Sequence, residues 1–220
     1  MPKDAQGAAK GSGGTRYTDA QATWDRRYQG DDYLFGTLPN AFLASQALRL
    51  SVGQKALSVA DGEGRNSVWL ARQGLQVSAF DVSSVGVEKA RKLAAMQRVV
   101  VDYQICDVDA YAWPEAAFDV VAAIFVQFAD PALRAFMFAS MVKALKPGGL
   151  LLLQGYTPKQ LEYKTGGPPQ VEHLYTEAML REAFAGTEFL ELRAHESELA
   201  EGDHHVGVSA LIDLVARKPA

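Results

Sequence analysis

The sequence has one cysteine, Cys106, among 220 residues, so no disulfide can form within the chain. Stability must come from a core, and a 48% share of hydrophobic residues is enough to build one. Cys106 reads as a small apolar side chain at a strand end, with a nucleophilic role as the alternative. There is no run of Lys or Arg, and 22 basic residues face 26 acidic ones for a net charge of −4. Binding to a phosphate backbone wants a basic face, so nucleic acid is not expected as a partner. No apolar stretch reaches the ~20 residues of a membrane span, and the first residues lack the apolar core of a signal peptide. A cytoplasmic protein with no membrane partner is expected. The four histidines and the lone cysteine have no metal-ligand spacing, so no metal is assigned. No internal repeat is present, and nothing in the sequence sets an oligomeric state.

What is present is an alternation of short apolar runs and helical patterns. Residues 1–16 are Gly, Ala, Ser and charge, and are expected to be a disordered tail. Residues 17–220 read as a single domain. A helix is predicted from a cap at Thr18 or Asp19 through Tyr28, and a second from Asn40 to Leu50. Strands are predicted over 56–60, 76–81, 101–105, 119–125 and 150–155. Helices over 65–73, 84–97 and 131–145 lie between them, with Ser83 or Ser84 and then Asp130 as caps. Lys146-Pro147-Gly148-Gly149 should stop the last of these. A helix over 176–185 and an antiparallel strand pair, 188–197 and 206–216, complete the chain. The predicted fold is α/β: a doubly wound, mostly parallel, Rossmann-like sheet of seven strands with a C-terminal antiparallel pair.

The chemistry concentrates at Ala60-Asp61-Gly62-Glu63-Gly64-Arg65-Asn66. A strand that breaks into Gly62-x-Gly64 and then a helix is a nucleotide-binding corner, because glycine lets a ligand approach the backbone. The third glycine of a dinucleotide motif is absent, since position 67 is Ser67. Asp81, ending the second strand about twenty residues on, is placed to accept hydrogen bonds from a ribose diol, or else to cap the next helix.

These residues resemble the class I S-adenosylmethionine-dependent methyltransferases over about residues 20–218. The glycine motif, Asp81-Val82-Ser83 and Leu145-Lys146-Pro147-Gly148-Gly149 carry the likeness. Within that family the chain is most similar to the small tellurite-resistance and thiopurine methyltransferase-like branch. The matching segments are Trp24-Asp25-x-Arg27-Tyr28, Gly36-x-x-Pro39-Asn40 and Glu201-Gly202-x-x-His205-x-Gly207. Two positions depart from the pattern: Ala60 stands where glycine is usual, and Ser58 where an acid is common. An alanine in extended backbone would leave binding intact.

The resemblance implies S-adenosylmethionine as cofactor and a small-molecule methyl acceptor as partner. It places Asp61, Gly62 and Gly64, with Asn66 after them, at the methionine part. It places Asp81 and Val82 at the ribose, and Asp107 with the Val108 N–H at the adenine. Phe125, followed by Val126 and Gln127, should face the cofactor or be plain core. Segment 17–50, with Gly36, should form an N-terminal lid in which Trp24 and Tyr28 share a helix face. The expected acceptor pocket holds Tyr33, Phe35, Tyr156 and Tyr163, and His205 is expected to meet the substrate. Tyr33, Tyr156 and His205 are the candidate catalytic residues. His195 reads as structural, His173 as a cap or mouth residue, and His204 lies beside His205. Tyr156 to Pro169 is long for a connection and should roof the pocket. With few bases in view, a soft nucleophile is expected: a thiol, a thiopurine, or a selenium or tellurium oxyanion. An oxygen- or nitrogen-directed methyltransferase, a nicotinamide-dependent oxidoreductase and a non-catalytic cofactor-binding protein are the alternatives.

Overall fold

Near-continuous apolar runs build the central strands, which are buried on both faces. The computed structural model describes residues 13–202 and 205–220, with side chains from Asp19 onward. Its strands are β1 (Lys55–Val59), β2 (Gln76–Asp81), β3 (Val101–Ile105), β4 (Phe118–Ile124), β5 (Leu145–Tyr156), β6 (Glu188–Glu201) and β7 (His205–Arg217). They form one seven-stranded sheet in the order β3-β2-β1-β4-β5-β7-β6. β1 to β5 are parallel, and β7 lies antiparallel between β5 and β6. This is the predicted Rossmann-like architecture.

Neighbouring residues of the central strands point to opposite faces, so two cores form. On one face Leu57, Val121, Leu151 and Leu214 pack with Met137, Met141, Leu180 and Phe184. Met137 and Met141 come from α5 (Pro131–Ala144), Leu180 from α7 (Glu177–Ala183), and Phe184 follows the end of α7. On the other, Ala56, Val120, Leu152 and Val215 pack with Leu43 of α2 (Ala41–Ser45) and Leu70 of α3 (Arg65–Arg72). α4 (Ser84–Met96) adds Val87, Ala90 and Leu93 against Ala79 and Tyr103. The caps of α2, α4 and α5 fall where the sequence predicts them, and Thr176 caps α7. Asn40, Ser83, Asp130 and Thr176 each accept from a backbone N–H three residues on.

Several boundaries differ. Helix α1 (Gly13–Tyr28) starts before Thr18, which places Thr18 and Asp19 inside the helix instead of at its cap. Of the tail expected over 1–16, residues 1–12 lie outside the described residues and 13–16 are already in α1. The helix expected to reach Leu50 ends at Ser45, and Ala47–Arg49 tightens into a 3₁₀ turn. Lys146 to Gly149 stop α5 but form the irregular start of β5, where pairing with β4 shifts register. The last hairpin is longer than predicted, reaching Glu201 and His205. The segment after Tyr156 contains a turn of helix, α6 (Gln160–Tyr163). No helix among the described residues is long and apolar enough to cross a membrane.

Candidate active site

The strand order reverses between β1 and β4, and a crevice opens beyond the carboxyl ends of the strands there. It holds a cavity of about 500 Å³, within the ~300–1,000 Å³ usual for small-molecule sites. β1 leads into it through Ala60, whose φ of +48° is left-handed rather than extended. The expectation of an extended alanine is therefore wrong: the turn demands the conformation that glycine adopts without strain.

Asp61 lines the cavity, but its carboxylate braces the loop instead of standing free for a ligand. It accepts from Ser58 Oγ at 2.6 Å, from the Ser67 N–H at 3.2 Å and from the Ser67 hydroxyl. Burial pushes its pKa up to about 6 against these hydrogen bonds. Ser58 is thus a partner of Asp61, which accounts for the missing acid at position 58. Gly64 does not face the cavity. Its φ is +92°, and a Cβ there would lie 2.7 Å from the Ala90 Cβ, so its role is to let α4 approach. Asn66 lines the cavity, with its Oδ1 accepting from the Asn40 N–H at 3.0 Å.

β2 ends at Asp81, which is buried in the cavity wall. Its carboxylate accepts from the Gly62 N–H and the Ser83 N–H, each at 2.8 Å. Burial raises its pKa to about 6 despite both bonds. Asp81 is not the cap of α4, since Ser83 fills that position. Val82, Cys106, Asp107 and Val108 continue the wall. The Val108 N–H, expected to be open to a ring nitrogen, already donates to Asp107 Oδ1 at 2.6 Å. Burial pushes the Cys106 thiol up to about 11, so it stays protonated at neutral pH and is a poor nucleophile.

Helix α1 closes this half. Trp24 and Tyr28 stack at 5.4 Å and both line the cavity. Tyr28 is buried against the glycine loop, its hydroxyl 2.8 Å from where a Cβ on Gly62 would stand. Arg27 lies over the Trp24 ring at 4.5 Å and also lines the cavity, an element of the Trp24 motif without an expected role.

The other half is aromatic. Phe35, Phe125, Tyr156 and His205 meet there, with centroids 4.4 Å apart for Phe35–His205, 4.6 Å for Phe125–His205 and 4.7 Å for Phe125–Tyr156. Phe125 has a φ of +57°, a second strained residue at the site. Burial lifts the Tyr156 phenol well above its ordinary pKa, and its hydroxyl has no hydrogen-bond partner. Burial also lowers the His205 pKa, with Arg65 adding to the effect and Glu201 opposing it, so the ring is neutral at pH 7. His205 Nδ1 lies 3.5 Å from Glu201 Oε2, too far to give that nitrogen a hydrogen bond. Gly36, Phe128, Leu133 and Gly166 to Pro169 complete the lining.

Tyr33 is not part of it. Its hydroxyl donates to the Lys89 carbonyl at 3.1 Å and its ring packs on the α4 side, so the structure does not support a catalytic place for it. Tyr163 also lies outside the lining, donating to Glu196. His173 meets the Gln127 carbonyl and His195 meets Asp213, while His204 is outside the described residues. Gln127 lines the cavity with its amide engaged by Tyr156 and His173 backbone.

The sequence reading missed Arg65 and Glu201 as a pair. Arg65 Nη2 donates to Glu201 Oε2 at 2.7 Å with both side chains buried. Burial alone would raise the Glu201 carboxyl, but the Arg65 guanidinium outweighs it and holds it below the usual carboxylate range. No local signal joins residues so far apart in sequence.

Residues 56–149 match the methyltransferase domain family. The match covers 94 of the 220 residues. Phosphoethanolamine N-methyltransferase of Triticum aestivum is 32% identical over 113 residues, which is 50% of this chain and 22% of that protein. The chain spans 22–24% of the length of the curated relatives it matches. Among solved structures, the N-methyltransferase NodS of Bradyrhizobium japonicum, in complex with S-adenosyl-L-homocysteine, has a TM-score of 0.70. It is 16% identical, with 91% of this chain and 99% of that one covered. TehB of Haemophilus influenzae has a TM-score of 0.66 at 18% identity, covering 90% of this chain and 67% of that one. These two likenesses are of fold. The cofactor of the methyltransferase domain is S-adenosylmethionine, and the residues fit it. Asp81 and Asp107 line one half, suited to hydroxyl and amine donors, while Asp61 and Glu63 beside them are engaged by Ser58, Ser67, Leu34 and Lys89. Gly62 leaves the backbone open where a side chain would meet Tyr28.

Proposed function

We propose that this chain transfers the methyl group of S-adenosylmethionine to a small, soft nucleophile. One observation carries the reading: a single cavity joins an acidic half around Asp81 to an aromatic half where the His205 Nδ1 and the Tyr156 hydroxyl are buried without hydrogen-bond partners. In this reading Asp81 takes the ribose hydroxyls, Asp107 lies at the adenine, and Trp24 and Tyr28 cover the methionine end. S-adenosylmethionine supplies a methyl carbon on a sulfonium, open to in-line displacement.

The chain's own part is to position the acceptor and exclude water. Phe35, Phe125 and Tyr156 form an apolar wall, and Gly166 to Pro169 roof it. Where the acceptor is an anion, desolvation favours a reaction in which opposite charges meet. Arg27, the cation of the lining that no carboxylate pairs among the described residues, supports an anionic acceptor. A thiol with an ordinary pKa near ~8.5 needs little help to ionise. The Tyr156 hydroxyl remains a donor to it.

A specific observation favours a second reading, an O- or N-methyltransferase. His205 is neutral and beside Glu201, as a general base should be. The wheat relative and NodS are both named N-methyltransferases. Label transfer from S-adenosylmethionine to alkyl and aryl thiols, a thiopurine, selenite, tellurite, a catechol and an amine separates the two. Transfer to the soft acceptors alone is expected, with activity retained in His205→Gln. Transfer to the catechol or amine, lost in that variant, would replace the first reading by the second.

A further inference from the structure

We propose that Asp25 is a positioning residue that fastens helix α1 over the nucleotide half of the cavity and thereby sets how tightly the cofactor is held. The inference rests on the proposed use of S-adenosylmethionine. Asp25 does not line the cavity. It reaches from α1 to the start of α4. Its Oδ1 accepts from Ser83 Oγ at 2.5 Å and from the Val85 N–H at 3.2 Å, and its Oδ2 from Ser84 Oγ at 3.3 Å. A carboxylate at a helix N-terminus is favoured by the free N–H groups and the partial positive charge there.

The position of this contact makes it more than a surface cap. Ser83 Oγ, which donates to Asp25, accepts from the Gly86 N–H at 3.0 Å, while the Ser83 N–H donates to Asp81 at 2.8 Å. A continuous path of hydrogen bonds therefore runs from α1 through Ser83 to the acid assigned to the ribose. Trp24 and Tyr28 flank Asp25 in sequence and are the two α1 rings on the cavity wall. Tyr28 fits only because α4 offers Gly86 beneath it, where a Cβ would lie 3.0 Å from the ring. Beyond Tyr28 the chain is held separately, by Lys89 Nζ donating to the carbonyls of Gly30 at 2.9 Å and Asp32 at 2.6 Å. Lys89 ties down the end of α1, and Asp25 sets its face against α4. Without Asp25 the helix can lift by rotation about that end, where Lys89 also holds the Tyr28 carbonyl at 3.3 Å, taking the Trp24 ring from the cavity and loosening its stack on Tyr28.

The test is calorimetric titration of S-adenosylhomocysteine into the wild-type chain, Asp25→Ala and Asp25→Asn, with the ligand-free melting temperature of each. Loss of a helix cap and its charge should weaken binding roughly tenfold in Asp25→Ala. Asp25→Asn should recover most of the loss, since an amide oxygen can still accept from Ser83 and Val85. A merely structural residue would lower the melting temperature and leave the dissociation constant alone. Binding in Asp25→Ala within about twofold of wild type, or equal losses in both variants, would overturn the inference while leaving the functional reading in place. No binding by the wild type would overturn both. Should Asp25→Ala fail to fold, amide exchange on the wild type decides. Residues 25–28 and 83–86 should be protected together when the ligand is added, and protection of one segment without the other would refute the link.

Discussion

Acidification should weaken cofactor binding through Asp81, and the size of the effect follows from its surroundings. An ionised carboxylate accepts from both ribose hydroxyls, whereas a protonated one offers fewer acceptor sites and a competing donor. Asp81 has a pKa of about 6 because burial outweighs its two backbone hydrogen bonds. About nine-tenths of it is ionised at pH 7 and about one-tenth at pH 5, so the dissociation constant of S-adenosylhomocysteine should rise about tenfold across that interval. Asp61 and Asp81 do not themselves unfold the chain on acidification, whereas His205 and Glu201, both held below their ordinary values, act in the opposite sense, so the melting temperature is measured beside each titration. Asp61 and Asp81 both have native pKa values of about 6 against an ordinary 3.8. The native state therefore binds protons more tightly than the unfolded chain between about pH 6 and pH 4, and these two groups stabilise the fold as pH falls through that window. Titration calorimetry at pH 5, 6, 7 and 8 provides the measurement. Asp81→Asn should bind roughly ten- to a hundredfold more weakly at pH 7.5, from the loss of a charged acceptor, and should lose the pH dependence. Asp61→Asn should keep it, because the Asp61 carboxylate is engaged by Ser58 and Ser67. A wild-type constant that stays level from pH 5 to 8, or a slope that survives in Asp81→Asn, would show that Asp81 does not receive the cofactor.

Ala60→Gly should stabilise the fold. Left-handed backbone costs alanine ~1–2 kcal/mol, and glycine's greater unfolded-state freedom offsets about half, leaving a gain of about 0.5–1 kcal/mol. Thermal denaturation should register this as a rise of ~1–4 °C, and a fall would mean Ala60 is not strained. Gly64→Ala should cost roughly 2–4 kcal/mol by urea unfolding, since it combines φ +92° with a Cβ 2.7 Å from Ala90; a loss under ~1 kcal/mol would mean α4 yields easily. Trypsin cleavage after exposed Lys164 should slow when S-adenosylhomocysteine is bound, because Gly166 to Pro169 line the cavity. Equal rates with and without ligand would remove the roof from the mechanism.

Features governed by one element could be read from the sequence, and features made where two elements meet could not. Strand faces follow from alternation, and the caps at Ser83, Asp130 and Thr176 follow from side chains that reach backbone three residues on. Tyr33 and Phe35 show the limit. Both are aromatics of one loop, yet Tyr33 packs by Lys89 and Phe35 meets His205 with the rings tilted. An irregular loop has no period from which direction could be inferred, so the contacts at each end decide it. Arg65 and Glu201 stand 136 residues apart and pair only because β6 runs back to the mouth of the crevice. Ala60 carried a signal, a departure from glycine, but its cost depends on φ, which the turn imposes. Asp25 belongs with these. Alone it is a polar residue on a surface helix; placed against Ser83 and Val85 it joins the covering helix to the strand end that carries Asp81. Cofactor affinity should then depend on the packing of α1 against α4 as much as on the residues that line the cavity.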